Sequence, residues 1–423
     1  MHLEYHRGGK TTQLEIKHYN RRAELWAQAA ETLVTMVDLY QPNVSAYDKP
    51  GMFEMWRKIL FNQFHDILPG SSIPDVYLLA VKEQKDAIGY AQQRIRAILT
   101  GVKPAADEVV IYNPFNWSRS EYVTVPTESG TNLYYCENIP PLSLTTMKMG
   151  ANREEPQKWH TILETDASFL LENSTVVAEI QKRTGALISL LYKPLQYEFI
   201  DPSKSRQNVG CGLRVYRDIG KAFPAWNINR QYWKKPIPVR LVGTPQLTQR
   251  PDGISQITVQ YGFLTSTATI QFHVRPKDTM LRINIHTDIK DPEILVKYFL
   301  PLNLKSEEVT AEIPYASIVR KRKMRTEMEK GKWECPMQKW IDISDKDVGL
   351  TILNNNRYGY SASMHGVYIT LTRTPKYPTP GFYSTHRTIP KAQRPKYTDL
   401  KPFDYALALV PHPKGWQETN NVS

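Results

Sequence analysis

The sequence of 423 residues predicts an α+β chain in which a three-helix bundle precedes a large antiparallel β-sandwich. Two observations point there. Through residues 13–100 apolar side chains recur at three- and four-residue spacing, the period of a helix face. From Glu108 onward short β-branched and aromatic runs alternate with turn residues, and no long helical period intervenes.

The first helix is read from Leu14, Tyr19, Leu25, Trp26, Leu33, Val34 and Val37, and Gln41-Pro42 stops it. The second opens after Asp48-Lys49-Pro50-Gly51, with Phe53, Trp56, Ile59, Leu60 and Phe64 on one side. It is expected to run to Leu68-Pro69-Gly70, where Pro69 disfavours helix at Leu68 and Gly70 permits a turn. The third spans Pro74 to Leu99, with Pro74 suited to a first-turn position. The bundle is therefore placed at 13–101 and the sandwich at 108–423. Strands are expected at 109–112, 121–125, 175–181, 186–192, 256–262, 267–274, 280–287, 366–373 and 404–410. Residues 127–160 and 375–400, rich in Pro, Thr, Lys and Tyr, read as long surface connections.

Hydrophobic residues at 41% and charged residues at 23% exclude wholesale disorder. No run approaches the ~18 apolar residues of a membrane helix, so no membrane partner is expected. Lys plus Arg (54) exceeds Asp plus Glu (42), giving a formal net charge of +12. The sharpest basic cluster is Arg320, Lys321, Arg322, Lys323 and Arg325. It fits either a nucleic-acid patch or a solvated strand end; without an interleaved aromatic the second is expected, and no nucleic-acid partner. Cys136, Cys211 and Cys335 are too widely spaced for a metal pair and odd in number for a disulfide framework. The start, MHLEYHRGGK, has no apolar leader, and a cytoplasmic location is the expectation.

The most informative segment is Asn62-Gln63-Phe64-His65-Asp66-Ile67-Leu68-Pro69-Gly70-Ser71-Ser72. It places His65 and Asp66 at the end of an apolar helix, before a turn of small residues. An imidazole there can bind a metal beside a carboxylate that orients a ligand. Equally, His65 can cap the helix by bonding its last carbonyls.

This string resembles the central motif of glycoside hydrolase family 38, the zinc-dependent retaining α-mannosidases, and in particular its cytosolic and bacterial branch. Further segments follow in the family's order: Leu3-Glu4-Tyr5-His6-Arg7-Gly8, Asn20-Arg21-Arg22-Ala23-Glu24, Tyr112-Asn113-Pro114 with Trp117 and Arg119, Glu334 to Trp340, and Asn354 to Tyr360. The resemblance implies a galactose mutarotase-like sandwich. It implies that His65 is a zinc ligand and that Asp66 contacts mannose hydroxyls. Arg7 and Tyr358 fall in motifs near the family's pocket and are carried over as substrate-binding candidates. Ordinary alternatives are that Arg7 pairs with an acid near the bundle and that Tyr358 packs in a strand turn. Three places depart from the family pattern: Gly9-Lys10, Pro224-Ala225-Trp226-Asn227, which lacks two carboxylates, and Asp288-Ile289.

The resemblance also implies a preceding barrel that holds the nucleophile, the acid/base and the other zinc ligands, of which residues 1–12 would be the remnant. The sandwich is likewise expected to be incomplete at its end. A retaining glycosidase needs two carboxyl groups roughly 5–5.5 Å apart, and zinc takes about four ligands. No catalytic residue is therefore assigned within this chain, and the chain alone is expected to be inactive. Zinc, a mannoside or oligosaccharide, and a barrel-bearing subunit or second copy are the expected cofactor and partners. The competing readings are a non-catalytic carbohydrate-binding remnant and an interaction protein.

Overall fold

Helix α1 (Leu14–Tyr40), α2 (Lys49–Phe61) and α3 (Pro74–Gly101) form the bundle. The computed structural model describes residues 6–41, 47–127, 130–150, 153–204, 210–220, 222–378 and 389–418. Leu3, Glu4 and Tyr5 of the first motif lie outside them, as does much of the predicted 375–400 connection. The bundle core joins Ala23, Ala27, Ala30, Leu33 and Val34 of α1 to Met52, Met55 and Ile59 of α2 and to Ala87, Ile88, Ala91 and Ile95 of α3. The alanines let α1 and α3 approach closely.

Two expectations for α2 are corrected. The helix ends at Phe61 rather than near Leu68. Asn62 takes the carbonyl of Lys58 with its own N–H and with Nδ2 (2.8 Å), and Gln63 and Phe64 continue as tight turns. Ile59 is buried and Trp56 packs on the core as expected, but Met52 and Met55 complete the buried face, and Phe53, Leu60 and Phe64 are 66%, 60% and 51% exposed.

Beyond residue 108 the described residues form antiparallel sheets. A six-stranded sheet centres on Ile294–Pro301 and Gly366–Arg373, and a ten-stranded sheet on Leu281–Asp288, Pro402–Pro413 and Val348–Asn354. Their apolar faces share one core: Val296, Tyr298, Ile369 and Leu371 meet Ile270, Ile283, Leu350 and Leu407. Residues 127–160 are not a bare connection. They hold strands Gly130–Ile139 and Ser143–Lys148, paired with Arg119–Thr127 and Glu108–Asn113 respectively. Cys136, Cys211 and Cys335 are free and buried.

Bundle and sandwich are tied by polar contacts. Asp399 accepts the backbone N–H groups of Gln13 and Leu14, each at 2.8 Å, and so caps α1. Arg21 donates to Asn354 and to the Gln338 carbonyl. Tyr112 donates to the Ala29 carbonyl at 2.8 Å.

Candidate functional site

His65 and Asp66 lie in the run of turns between α2 and α3. Asp66 is fixed from behind. Its carbonyl accepts Ser71 N (3.2 Å), Ser72 Oγ (2.8 Å) and Tyr77 Oη (3.2 Å), and its Oδ1 accepts Ser71 Oγ (2.9 Å). Its Oδ2 stands 3.6 Å from His65 Nε2. The side chains are 77% exposed for His65 and 42% for Asp66. The His65 ring lies 4.0 Å from that of Phe64. The helix-capping alternative is not what forms: the exposed His65 ring has Asp66 as its polar neighbour and bonds no carbonyl of α2, those of Lys58, Leu60 and Phe61 accepting from Asn62, Gln63 and Phe64. What results is an outward-facing imidazole beside a carboxylate with one oxygen held and the other open toward the ring. That pair can ligate a cation or bond a polyhydroxylated ligand.

The segment before α1 folds against this turn. Gly70, at φ +89°, lies so close that an added Cβ would collide with the Thr12 carbonyl. Lys17 Nζ bridges the carbonyls of Thr12 (2.5 Å) and Leu68 (2.8 Å). Burial pushes its amine down to about 7, against a partial opposing effect of Asp399. Lys10 bonds the Glu334 carbonyl at 2.9 Å, and burial lowers its amine to about 8.

Arg7 is buried, its guanidinium 4.7 Å from the centre of the Trp333 ring and donating to the Gly331 carbonyl. Tyr358 is half-buried beneath the Arg21 guanidinium, 4.5 Å from its ring centre, and burial raises its phenol pKa. Neither is among the side chains bonded to His65 or Asp66. Pro224 to Asn227 works through its backbone: the Trp226 carbonyl accepts Gly8 N at 2.6 Å.

Sequence reasoning missed Thr12, Lys17, Asp218 and Arg373. Arg373 and Asp218 form a buried ion pair, Nη2 to Oδ2 2.6 Å. The only local signal was an arginine ending an otherwise uncharged strand. A second buried pair, Lys297 Nζ to Glu334 Oε2 at 2.5 Å, underlies the segment that Lys10 contacts.

Two other polar groupings are closed. His412, Asp342 and Thr351 bond one another at 2.8 to 3.2 Å but are buried, so they tie strands together. The basic cluster is partly paired: Lys321 meets Glu308, Lys323 and Arg325 share Glu307, Arg322 is buried against the Ser306 and Ser363 carbonyls, and Arg320 bonds the Pro336 carbonyl and the Tyr360 hydroxyl.

Among the described residues no three His, Cys, Asp or Glu side chains come together to hold a metal ion. His65 thus fits one position of a zinc shell, and the described residues do not supply a whole one. No helix among the described residues is long and apolar enough to cross a membrane.

Residues 4–101 match the "Alpha mannosidase middle domain", and residues 171–381 match the "Glycosyl hydrolases family 38 C-terminal domain". The chain belongs to glycoside hydrolase family 38. It is 24% identical to mouse (Mus musculus) alpha-mannosidase 2C1 over 99% of this chain and 39% of that protein. It is 23% identical to the alpha-mannosidase of Saccharomyces cerevisiae over 89% of this chain and 34% of that one. The chain thus spans less than two-fifths of the length of these relatives. The crystal structure of an alpha-mannosidase from Enterococcus faecalis V583 superposes with a TM-score of 0.70 at 14% identity, over 96% of this chain and 55% of that one, and shares its fold.

Proposed function

We propose that this chain is the mannoside-binding, zinc-ligating portion of a retaining α-mannosidase whose nucleophile and acid/base lie outside its residues. The observation that supports it is the outward-facing His65–Asp66 pair, held on a turn that Ser71, Ser72 and Tyr77 brace from behind. The Asp66 carboxylate is an acceptor for sugar hydroxyl protons, and charge-assisted bonds of this kind are the stronger ones. The His65 imidazole supplies one ligand of a zinc shell completed by groups from elsewhere. When bound, the metal would orient and polarise sugar hydroxyls. Arg7 and Tyr358 act at one remove in this reading, Arg7 by holding the segment that leads into Gly8 and Tyr358 by packing under Arg21.

The test is titration of the full chain with methyl α-D-mannoside, with and without zinc. Saturable binding that Asp66→Ala abolishes is expected, together with no hydrolysis of an aryl α-mannoside. Absence of binding with zinc present overturns the sugar-binding reading. Hydrolysis by the chain alone, lost in His65→Ala, overturns the division of the machinery between this chain and others.

A further inference from the structure

We infer that Thr12, held by Arg373, is a positioning residue for the sugar-binding turn, coupling the Ala225–Asn227 loop to Asp66. The claim that sugar binding depends on it rests on the reading proposed above; the coupling itself does not. Arg373 ends the strand Gly366–Arg373 and is fully buried with Asp218. All five of its N–H groups have acceptors. Nε and Nη2 reach Asp218 Oδ2 at 3.0 and 2.6 Å. Nη2 also reaches the Asn227 carbonyl at 2.7 Å, and Nη1 reaches Thr12 Oγ1 at 3.0 Å and the Ala225 carbonyl at 3.4 Å. A guanidinium offers these directions at once, and an ammonium does not.

Thr12 faces both ways from this hub. Its hydroxyl lies 2.9 Å from the carbonyls of both Gly8 and Ala225 while accepting from Arg373. Its carbonyl is bridged by Lys17 to Leu68 and lies against Gly70, in the turn that carries Asp66. Gly8 leaves no slack, since a Cβ there would land on Arg373 Nη1 and the Trp226 carbonyl. One hydroxyl and one carbonyl of a single buried residue therefore connect the loop 225–227 to the turn 66–70.

The experiment compares Thr12→Val and Thr12→Ser with the unaltered full chain, by hydrogen exchange and by titration with methyl α-D-mannoside. Thr12→Val keeps the size and removes the hydroxyl; Thr12→Ser keeps the hydroxyl. Faster exchange is expected in Thr12→Val within 8–12, 66–72 and 225–229 together, with α1, α3 and the sheet cores unchanged and Thr12→Ser restored to the original pattern. Mannoside affinity is expected to fall about tenfold in Thr12→Val and to recover in Thr12→Ser. Acceleration confined to 8–12, or full affinity in a folded Thr12→Val, overturns the inference. If the unaltered chain binds no mannoside but the three segments still respond together, the sugar-binding reading fails and the coupling stands. If Thr12→Val does not fold, Gly8→Ala, which crowds the same hub, must produce the three-segment pattern or the inference fails.

Discussion

Lys17 carries its amine into a site with two carbonyl oxygens, those of Thr12 and Leu68, and a neutral amine has two N–H groups to give them. Burial holds its pKa near 7, against 10.5 in the open chain. Between those values the unfolded chain retains a proton that the folded chain has released, so this residue makes stability rise with pH. Its penalty is greatest below pH 7, where the buried amine is charged. The stability lost in Lys17→Met is therefore expected to grow from about pH 6.5 to about pH 9.5, measured by urea unfolding. Lys10 shifts the same way and is common to both proteins, so it cancels in the difference. A loss that stays flat across that window would mean Lys17 remains charged when folded. Such settings were invisible in the sequence because distant segments build them: Leu68 lies 51 residues from Lys17, Asp399 lies 386 from Gln13, and Arg373 lies 361 from Thr12. His65 and Asp66 were legible because their setting is a local string of eleven residues with Pro69 and Gly70 in register.

Helix α2 shows how periodicity can misplace the edge of a buried face. Of the expected inner side, Ile59 is buried and Trp56 packs against the core, whereas Phe53, Leu60 and Phe64 are exposed and Met52 and Met55 take the remaining inner positions. The bulky phenylalanines drew the assignment to one flank, yet the bundle turns Met52 and Met55 inward beside Ile59, because flexible methionines fill the space against α1 and α3. Met55→Ala is expected to cost about 2–5 kcal/mol, and Phe53→Ala no more than about 0.5 kcal/mol, both read from urea midpoints. Comparable losses would restore the original face. The sheets repeat the lesson. The run Ile294–Pro301 is buried at every position, so it lacks the alternation that marks a half-exposed strand, and Lys297 interrupts its apolar text. Its charge is met by Glu334, 37 residues away. The strands within 127–160 carry Glu, Asn and Thr on exposed positions, and only their pairing with Arg119–Thr127 and Glu108–Asn113 reveals them.

At the scale of the molecule, part of the +12 net charge gathers at 320–325, where Glu307 and Glu308 pair with three of the five cations and carbonyls hold Arg320 and Arg322. The larger question is whether the helical and sheet regions are separate folding units, as the change of sequence pattern at residue 108 suggests. The contacts argue against independence. The N-terminus of α1 is capped by Asp399, Arg21 bonds Asn354 and Gln338, and Asn356 bonds His18 at 2.9 Å. Each is a buried or part-buried polar contact, so separating the regions would leave donors and acceptors to be resolvated together. Loss of helical circular dichroism and of near-ultraviolet aromatic signal is therefore expected to coincide in urea, as a two-state transition requires. Arg21→Ala, which leaves the carbonyls of Gln338 and Asn354 without this donor, is expected to lower both midpoints together. Helices that melt at a lower urea concentration than the aromatic core would show the bundle to be an autonomous unit, and Arg21→Ala would then shift the helical transition alone.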